Sequence, residues 1–155
     1  MEEIVSAIGI AGDIAKEFEG LELNPYHDPS GFPTIGWGHL LSRDRFGDLS
    51  QWPPITQSEA QRLLDSDLAR ANRAVDANIY VQLTRDQRAA LIDFTFNVGS
   101  GNLQASTLRR VINREAHAQA PKEIRRWVYS AGVKLPGLVR RRDLEARFYE
   151  QGTVE

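Results

Sequence analysis

Phe18-Glu19-Gly20-Leu21-Glu22-Leu23-Asn24-Pro25-Tyr26-His27-Asp28-Pro29-Ser30-Gly31-Phe32-Pro33-Thr34-Ile35-Gly36-Trp37-Gly38-His39 is the stretch from which the fold is read. Upstream of it, Ile4, Ala7, Ile8, Ala11, Ile14, Ala15 and Phe18 recur at spacings of three and four, which predicts an amphipathic helix over 4–18. Gly20 supplies a C-terminal stop and leaves Glu19 where the chain turns away. Asp28-Pro29-Ser30-Gly31 matches a type I turn, with Asp first, Pro second and Gly fourth. Tyr26 before it and Thr34-Ile35-Gly36-Trp37 after it predict a short β-hairpin, a ledge rather than a sheet-based core.

Further along, Thr56-Gln57-Ser58-Glu59 is a capping box opening a long helix to about Asn78, whose apolar face runs Ala60, Leu63, Leu64, Leu68, Ala71, Val75. Thr84-Arg85-Asp86-Gln87 is a second, starting a helix that ends at Asn97-Val98-Gly99. Shorter helices are expected over 106–113, over 121–130 around Trp127 (read as a core tryptophan), and over 138–150 after Pro136-Gly137. The expected class is α+β and mostly helical, as one domain over 1–155. A helix and β-lobe (about 1–55) joins a helical C-terminal lobe (about 80–155) through the connecting helix 57–78, with a cleft between the lobes.

The 155 residues are 41% apolar and 26% charged, an ordinary globular composition, and contain no cysteine. That excludes disulfides, thiolate metal sites and a cysteine nucleophile. The N-terminus opens with Glu2-Glu3, and its apolar run is interrupted by Ser6 and ended by Asp13, so it reads as neither signal peptide nor membrane anchor. The net charge of −2 hides an asymmetry: residues 1–84 carry six basic and thirteen acidic side chains, residues 85–155 thirteen basic and eight acidic. A basic half suits an anionic polymer, either nucleic acid or a bacterial envelope, unless its arginines are simply solvated helix faces.

Glycosidic cleavage needs a proton donor and a carboxylate in unlike surroundings. Glu19, beside Phe18, Leu21 and Leu23 at a helix C-terminus, has neighbours that favour a neutral acid. Asp28 lies in a polar turn whose backbone N–H groups favour its anion. Taken singly, each residue has a plainer reading: Glu19 as a solvated helix end, Asp28 as a turn former, Thr34 as a strand residue, His39 as a hydrogen-bonded structural histidine. Histidines at 27, 39 and 117 show no ligand spacing, so neither a metal nor a cofactor is expected.

The string as a whole closely resembles the active-site segment of the phage lysozymes, the T-even and lambdoid endolysin type of glycoside hydrolase. That pattern is E-G, then L-x-x-Y-x-D, then G-x-x-T-I-G-x-G-H; Asp28, Thr34 and His39 follow Glu19 here by 9, 15 and 20 residues. Ala90-Leu91-Ile92-Asp93-Phe94-Thr95-Phe96-Asn97-Val98-Gly99 resembles the family's A-L-x-x-F-x-F-N-x-G helix end. Leu135 to Glu145 resembles the endolysins' G-L-x-x-R-R-x-x-E helix. The resemblance implies Glu19 as general acid, Asp28 as the carboxylate that positions or activates water, and Thr34 as completing a catalytic triad. It implies that His39, with Gly36 and Gly38, is structural near the site, and that Asn97 touches substrate at the cleft edge. One of Arg140 to Arg142, with Arg141 preferred, should reach Glu19 and the substrate cleft.

The resemblance thus implies a muramidase that cuts the β-1,4 bond between N-acetylmuramic acid and N-acetylglucosamine in peptidoglycan, with inversion. It implies a monomer with no nucleic-acid partner and no stable membrane insertion, held in the host cytoplasm until a separate holin-like pore releases it to the wall. A lytic transglycosylase would need the acid but no water-activating carboxylate. A nucleic-acid binder would use Arg109-Arg110, Arg125-Arg126 and Arg140-Arg141-Arg142. A wall-binding module without activity would not keep Glu19, Asp28 and Thr34 together.

Overall fold

A computed structural model describes residues 1–153. Helix α1, Glu2–Phe18, buries Ala7, Ala11, Ile14 and Ala15, and Glu2 and Glu3 in its first turn oppose the positive end of the helix dipole. Strands β1 (Glu22–His27), β2 (Pro33–Gly36) and β3 (His39–Leu40) form an antiparallel sheet in that order. Tyr26 pairs with Thr34 and His27 with Pro33, and the register breaks between Glu22 and Tyr26. The hairpin turn closes through the Gly31 N–H donating to Asp28 O at 2.8 Å. All four residues of β2 are buried, because α2 covers them.

Helix α2, Gln57–Asn78, starts where Thr56 accepts from the Glu59 N–H, and it links the β-lobe to the rest. Helix α3, Arg85–Val98, opens with a complete capping box between Thr84 and Gln87. It is the central element: Ala89 to Thr95 are all buried, and α1, α2 and α7 pack around it. A helix surrounded in this way reads as a nearly continuous apolar run rather than a stripe. After it come α4 (Ser100–Ala105), α5 (Thr107–Asn113), a 3-10 turn at His117–Gln119, α6 (Ala120–Ile124), the hairpin β4 (Tyr129–Ser130) with β5 (Val133–Lys134), and α7 (Pro136–Gly152). Among the described residues no helix is long and apolar enough to cross a membrane.

The expected helix over 121–130 is corrected: it stops at Ile124, and Tyr129–Ser130 is a strand. Ala131 and Gly132 both adopt positive φ, 49° and 78°, the conformation of the primed hairpin turns that match strand twist. Trp127 turns its ring edge-on to Phe94, with centroids 5.7 Å apart. Strand β3 and helix α4, both too short to show a period, were not expected. Helix α7 begins two residues earlier than expected, with Pro136 in its first turn, where a missing N–H costs nothing.

Candidate active site

The end of α1, the β-hairpin, the end of α3 and the start of α7 enclose a cleft of about 970 Å³. Glu19, Asp28, Thr34, Asn97 and Arg141 all line it. Glu19 caps α1: its backbone N–H still donates to Ala15 O at 2.8 Å, while φ −100° and ψ 25° end the helix. Its side chain leaves the helix end toward α7, where Arg141 Nη1 donates to Glu19 Oε1 at 2.6 Å. Gly38 makes room for that carboxyl. A Cβ at Gly38, which sits at φ +72°, would lie 2.5 Å from Glu19 Oε2.

Asp28 is held differently. Its Oδ1 accepts the backbone N–H groups of Ser30 and Phe32, each at 2.9 Å, while Oδ2 accepts none among the described residues. Thr34, buried in β2, donates its hydroxyl to Phe32 O at 2.7 Å. With its proton engaged, that hydroxyl faces the cleft as an acceptor. The main chain of one residue therefore links the two: the Phe32 N–H donates to Asp28 and the Phe32 C=O accepts from Thr34. The turn is clasped from behind, where the Phe46 N–H donates to Gly31 O at 2.7 Å and His27 Nε2 meets Gly47 O at 2.8 Å. His39 lies outside the cleft lining, and its Nδ1 meets Asp67 Oδ2 at 2.8 Å, joining β3 to α2.

Beneath Glu19 lies a charged layer of which the spacing of residues 18–39 carries no sign. Arg141, 3% exposed, donates from Nε to Asp93 Oδ2 (2.9 Å) and from Nη2 to Asp93 Oδ1 (2.7 Å). Its guanidinium carbon stands 5.7 Å from the ring centres of both Phe18 and Phe96. Arg142 is fully buried over the Phe94 ring; its Nη2 donates to Asn97 Oδ1 at 2.7 Å and to Glu145 Oε2 at 3.1 Å. Arg142 Nε also lies 2.8 Å from Glu145 Oε1, an ion-pair contact without hydrogen-bond alignment. Burial alone would push the Asp93 carboxyl up, but Arg141's charge and hydrogen bonds hold it below the usual range. Burial and the neighbouring Asp93 push Glu145 well above that range. Burial, then Glu19, Asp28 and Glu22, raise the Tyr26 phenol.

Of Arg140, Arg141 and Arg142, Arg141 is the one that reaches Glu19. It is directed at carboxylates of its own chain with all three guanidinium nitrogens. Asn97 stands at the cleft with its amide oxygen taken by Arg142, which leaves the NH₂ group to donate outward. Trp127 does not line the cleft. Asp93 and Glu145 lie outside the residues expected at the site, and Arg142, a candidate partner of Glu19, pairs with Glu145 instead. The available signal was an acid inside the apolar run of α3, together with two arginines spaced three and four residues before Glu145. Of the other arginines that a nucleic-acid surface would need, Arg109 donates to Asn78 O, Arg125 pairs with Asp143, and Arg126 pairs with Glu123.

Comparison with known proteins places this geometry. The family model described as phage lysozyme matches residues 16–145. The "SAR-endolysin" of Bacteriophage PS34 is 35% identical over 127 residues, covering 82% of this chain and 73% of that protein. The structure of the endolysin from Escherichia coli O157:H7 phage FAHEc1 superposes with a TM-score of 0.79 at 31% identity, covering 94% of both chains. The muramidase domain of SpmX from Asticaccaulis excentricus superposes with a TM-score of 0.76 at 28% identity, covering 90% of this chain and 93% of that one. The lobe, connecting helix and cleft are those of a lysozyme-like α+β fold, and the chain belongs to the phage lysozyme family.

Proposed function

We propose that this chain, a peptidoglycan-degrading glycoside hydrolase of the endolysin type, works as one catalytic domain that cuts the β-1,4 bond between N-acetylmuramic acid and N-acetylglucosamine. The observation that carries the reading is the unlike placement of two carboxyls on one cleft. Glu19 projects from a helix end onto Arg141, and Asp28 is fixed by two backbone N–H groups. In this mechanism the Glu19 proton goes to the glycosidic oxygen as that oxygen takes the electron pair of the C1–O bond. A water attacks C1 and passes a proton to Asp28. Thr34, its own proton committed to Phe32 O, accepts a hydrogen bond from that water and orients it. Attack by a separately held water corresponds to inversion. Asn97 offers its NH₂ group to an acceptor such as an acetamido oxygen of the sugar. Arg141 serves the site by orienting Glu19.

Glu19→Gln, assayed on purified peptidoglycan after folding is checked, is expected to lose on the order of 10² to 10⁴ in rate. Near-full activity in that variant would overturn the mechanism. Asp28→Ala and Thr34→Ala test the water side, and an initial α-anomer detected by NMR is the expected product. Anhydro-muramyl ends would instead mean internal attack by a substrate hydroxyl. We propose further that the protein acts as a monomer and reaches the wall through a separate membrane pore. Expressed alone it should leave cells intact until a pore-forming partner is co-expressed.

A further inference from the structure

Arg141 poses a chemical difficulty for a general acid. A guanidinium at 2.6 Å from a carboxyl oxygen favours the carboxylate, whereas the reaction needs Glu19 to carry a proton when substrate arrives. The layer behind Arg141 resolves it. We propose that Asp93 is a positioning residue for the reaction: by binding Arg141 through two hydrogen bonds it offsets the positive charge that touches Glu19, so that Glu19 keeps the proton it must donate.

Three observations support this. Asp93 is completely buried, so its charge is not dispersed by solvent. Both of its oxygens are committed to Arg141, at 2.9 and 2.7 Å, a fork that fixes the guanidinium plane and aims the remaining nitrogen, Nη1, at Glu19. Phe18 and Phe96 lie close to the same guanidinium and limit the water that could take Asp93's place. Seen from Glu19, Arg141 and Asp93 together are close to a neutral pair that still offers one hydrogen bond. The other charged and titratable groups around Glu19 come from each neighbouring element. Among the described residues they include Glu17 on α1, Tyr26 and Glu22 on β1, Asp28 in the turn, and Arg140, Asp143 and Arg147 on α7 at the cleft wall, with Arg142 donating to Asn97 and to Glu145 behind it. Glu145 Oε2 stands 4.0 Å from Arg141 Nε, outside hydrogen-bond range. Among the described residues Asp93 alone accepts from two of Arg141's nitrogens.

This inference rests on Glu19 being the acid, and the experiment separates the two. The pH dependence of kcat/KM on solubilised glycan strands is measured for the wild type, Glu19→Gln and Asp93→Asn. Asn keeps the size of Asp93 and removes its charge, so Arg141 acts on Glu19 unopposed. The limb on which activity is lost with rising pH is expected to move down by about one pH unit. Activity on the high-pH side of that limb then falls about tenfold while activity on its low-pH side stays close to wild type. An Asp93→Asn profile lowered evenly at every pH, with no displacement, would make Asp93 a purely structural residue and overturn the proposal. If Asp93→Asn does not fold, the double variant Asp93→Asn/Arg141→Gln replaces one neutral pair by another. Its limb should then lie within about half a pH unit of wild type. A rise of a full unit would show that Arg141 acts alone and would also overturn the proposal. Should Glu19→Gln remain active, the general-acid reading falls. Should it be inactive while the Asp93→Asn limb stays put, only the present inference falls.

Discussion

At the residue scale, the site depends as much on a missing atom as on the groups present. Gly38 leaves space for the Glu19 carboxyl at a backbone angle that side chains rarely adopt. Gly38→Ala should push that carboxyl off Arg141 Nη1 while leaving most of the fold intact. A displacement of about 1 Å at a reacting group costs about 10²-fold in rate, so turnover is expected to fall by that order with an unchanged circular dichroism spectrum. Wild-type turnover in a folded Gly38→Ala would show that the carboxyl has room to spare. Glu19, Asp28, Thr34 and Gly38 were legible as candidates because they lie within twenty residues of chain and their spacing resembles a known pattern. Asp93 and Glu145 were not. Their meaning arises only when α3 and α7 pack together and bring residues about fifty positions apart into contact, which no local spacing encodes.

At the element scale, the long helices could be read because each carries a capping residue and a burial period. Thr84 shows how much one cap supports. Its side chain accepts from Gln87 N while Gln87 Oε1 accepts from Thr84 N, satisfying two donors at the start of the helix on which α1, α2 and α7 all rest. Thr84→Ala is expected to cost about 1 kcal/mol of stability by denaturant unfolding, with no change in activity measured well below the transition. A cost near zero would mean that packing alone holds the first turn of α3. The short elements escaped the reading for a physical reason. A two-residue strand such as β4 has no period, and Ala131 gives no hint that it turns at positive φ, a role usually taken by Gly or Asn.

At the scale of the whole molecule, the absence of cysteine leaves stability to a core that contains a charged layer. Asp93 is depressed in the folded state, so its contribution is present above the ordinary carboxylate range and is lost as pH falls through its lower folded value. Glu145 is raised and acts in the opposite sense, favouring the fold at low pH and withdrawing that support as pH rises above the ordinary range. Thermal unfolding between pH 3 and 8 should therefore show Glu145→Gln less sensitive than wild type to rising pH on the neutral side. A melting profile of that variant parallel to wild type throughout would mean that Glu145 titrates alike in both states. The α+β architecture, the connecting helix and the cleft were all expected from the chain. The division of labour among the C-terminal arginines was not, because a triple run looks the same whether it faces water or a buried acid.

The main chain of Phe32 ties the turn to the strand. Asp28 and Thr34 hang on its two ends, so the tie between them belongs to the main chain and is indifferent to which side chain is attached. A scan that trims side chains one at a time would score position 32 by its ring, which lies 5.0 Å from the guanidinium carbon of Arg45, and would pass over the tie itself. Only a change to the backbone, a proline at position 32 or an ester in place of the Gly31–Phe32 amide, removes the N–H that Phe32 gives to Asp28. Drift in sequence short of proline can thus rewrite the residue while the mechanical coupling of the two cleft groups persists unseen.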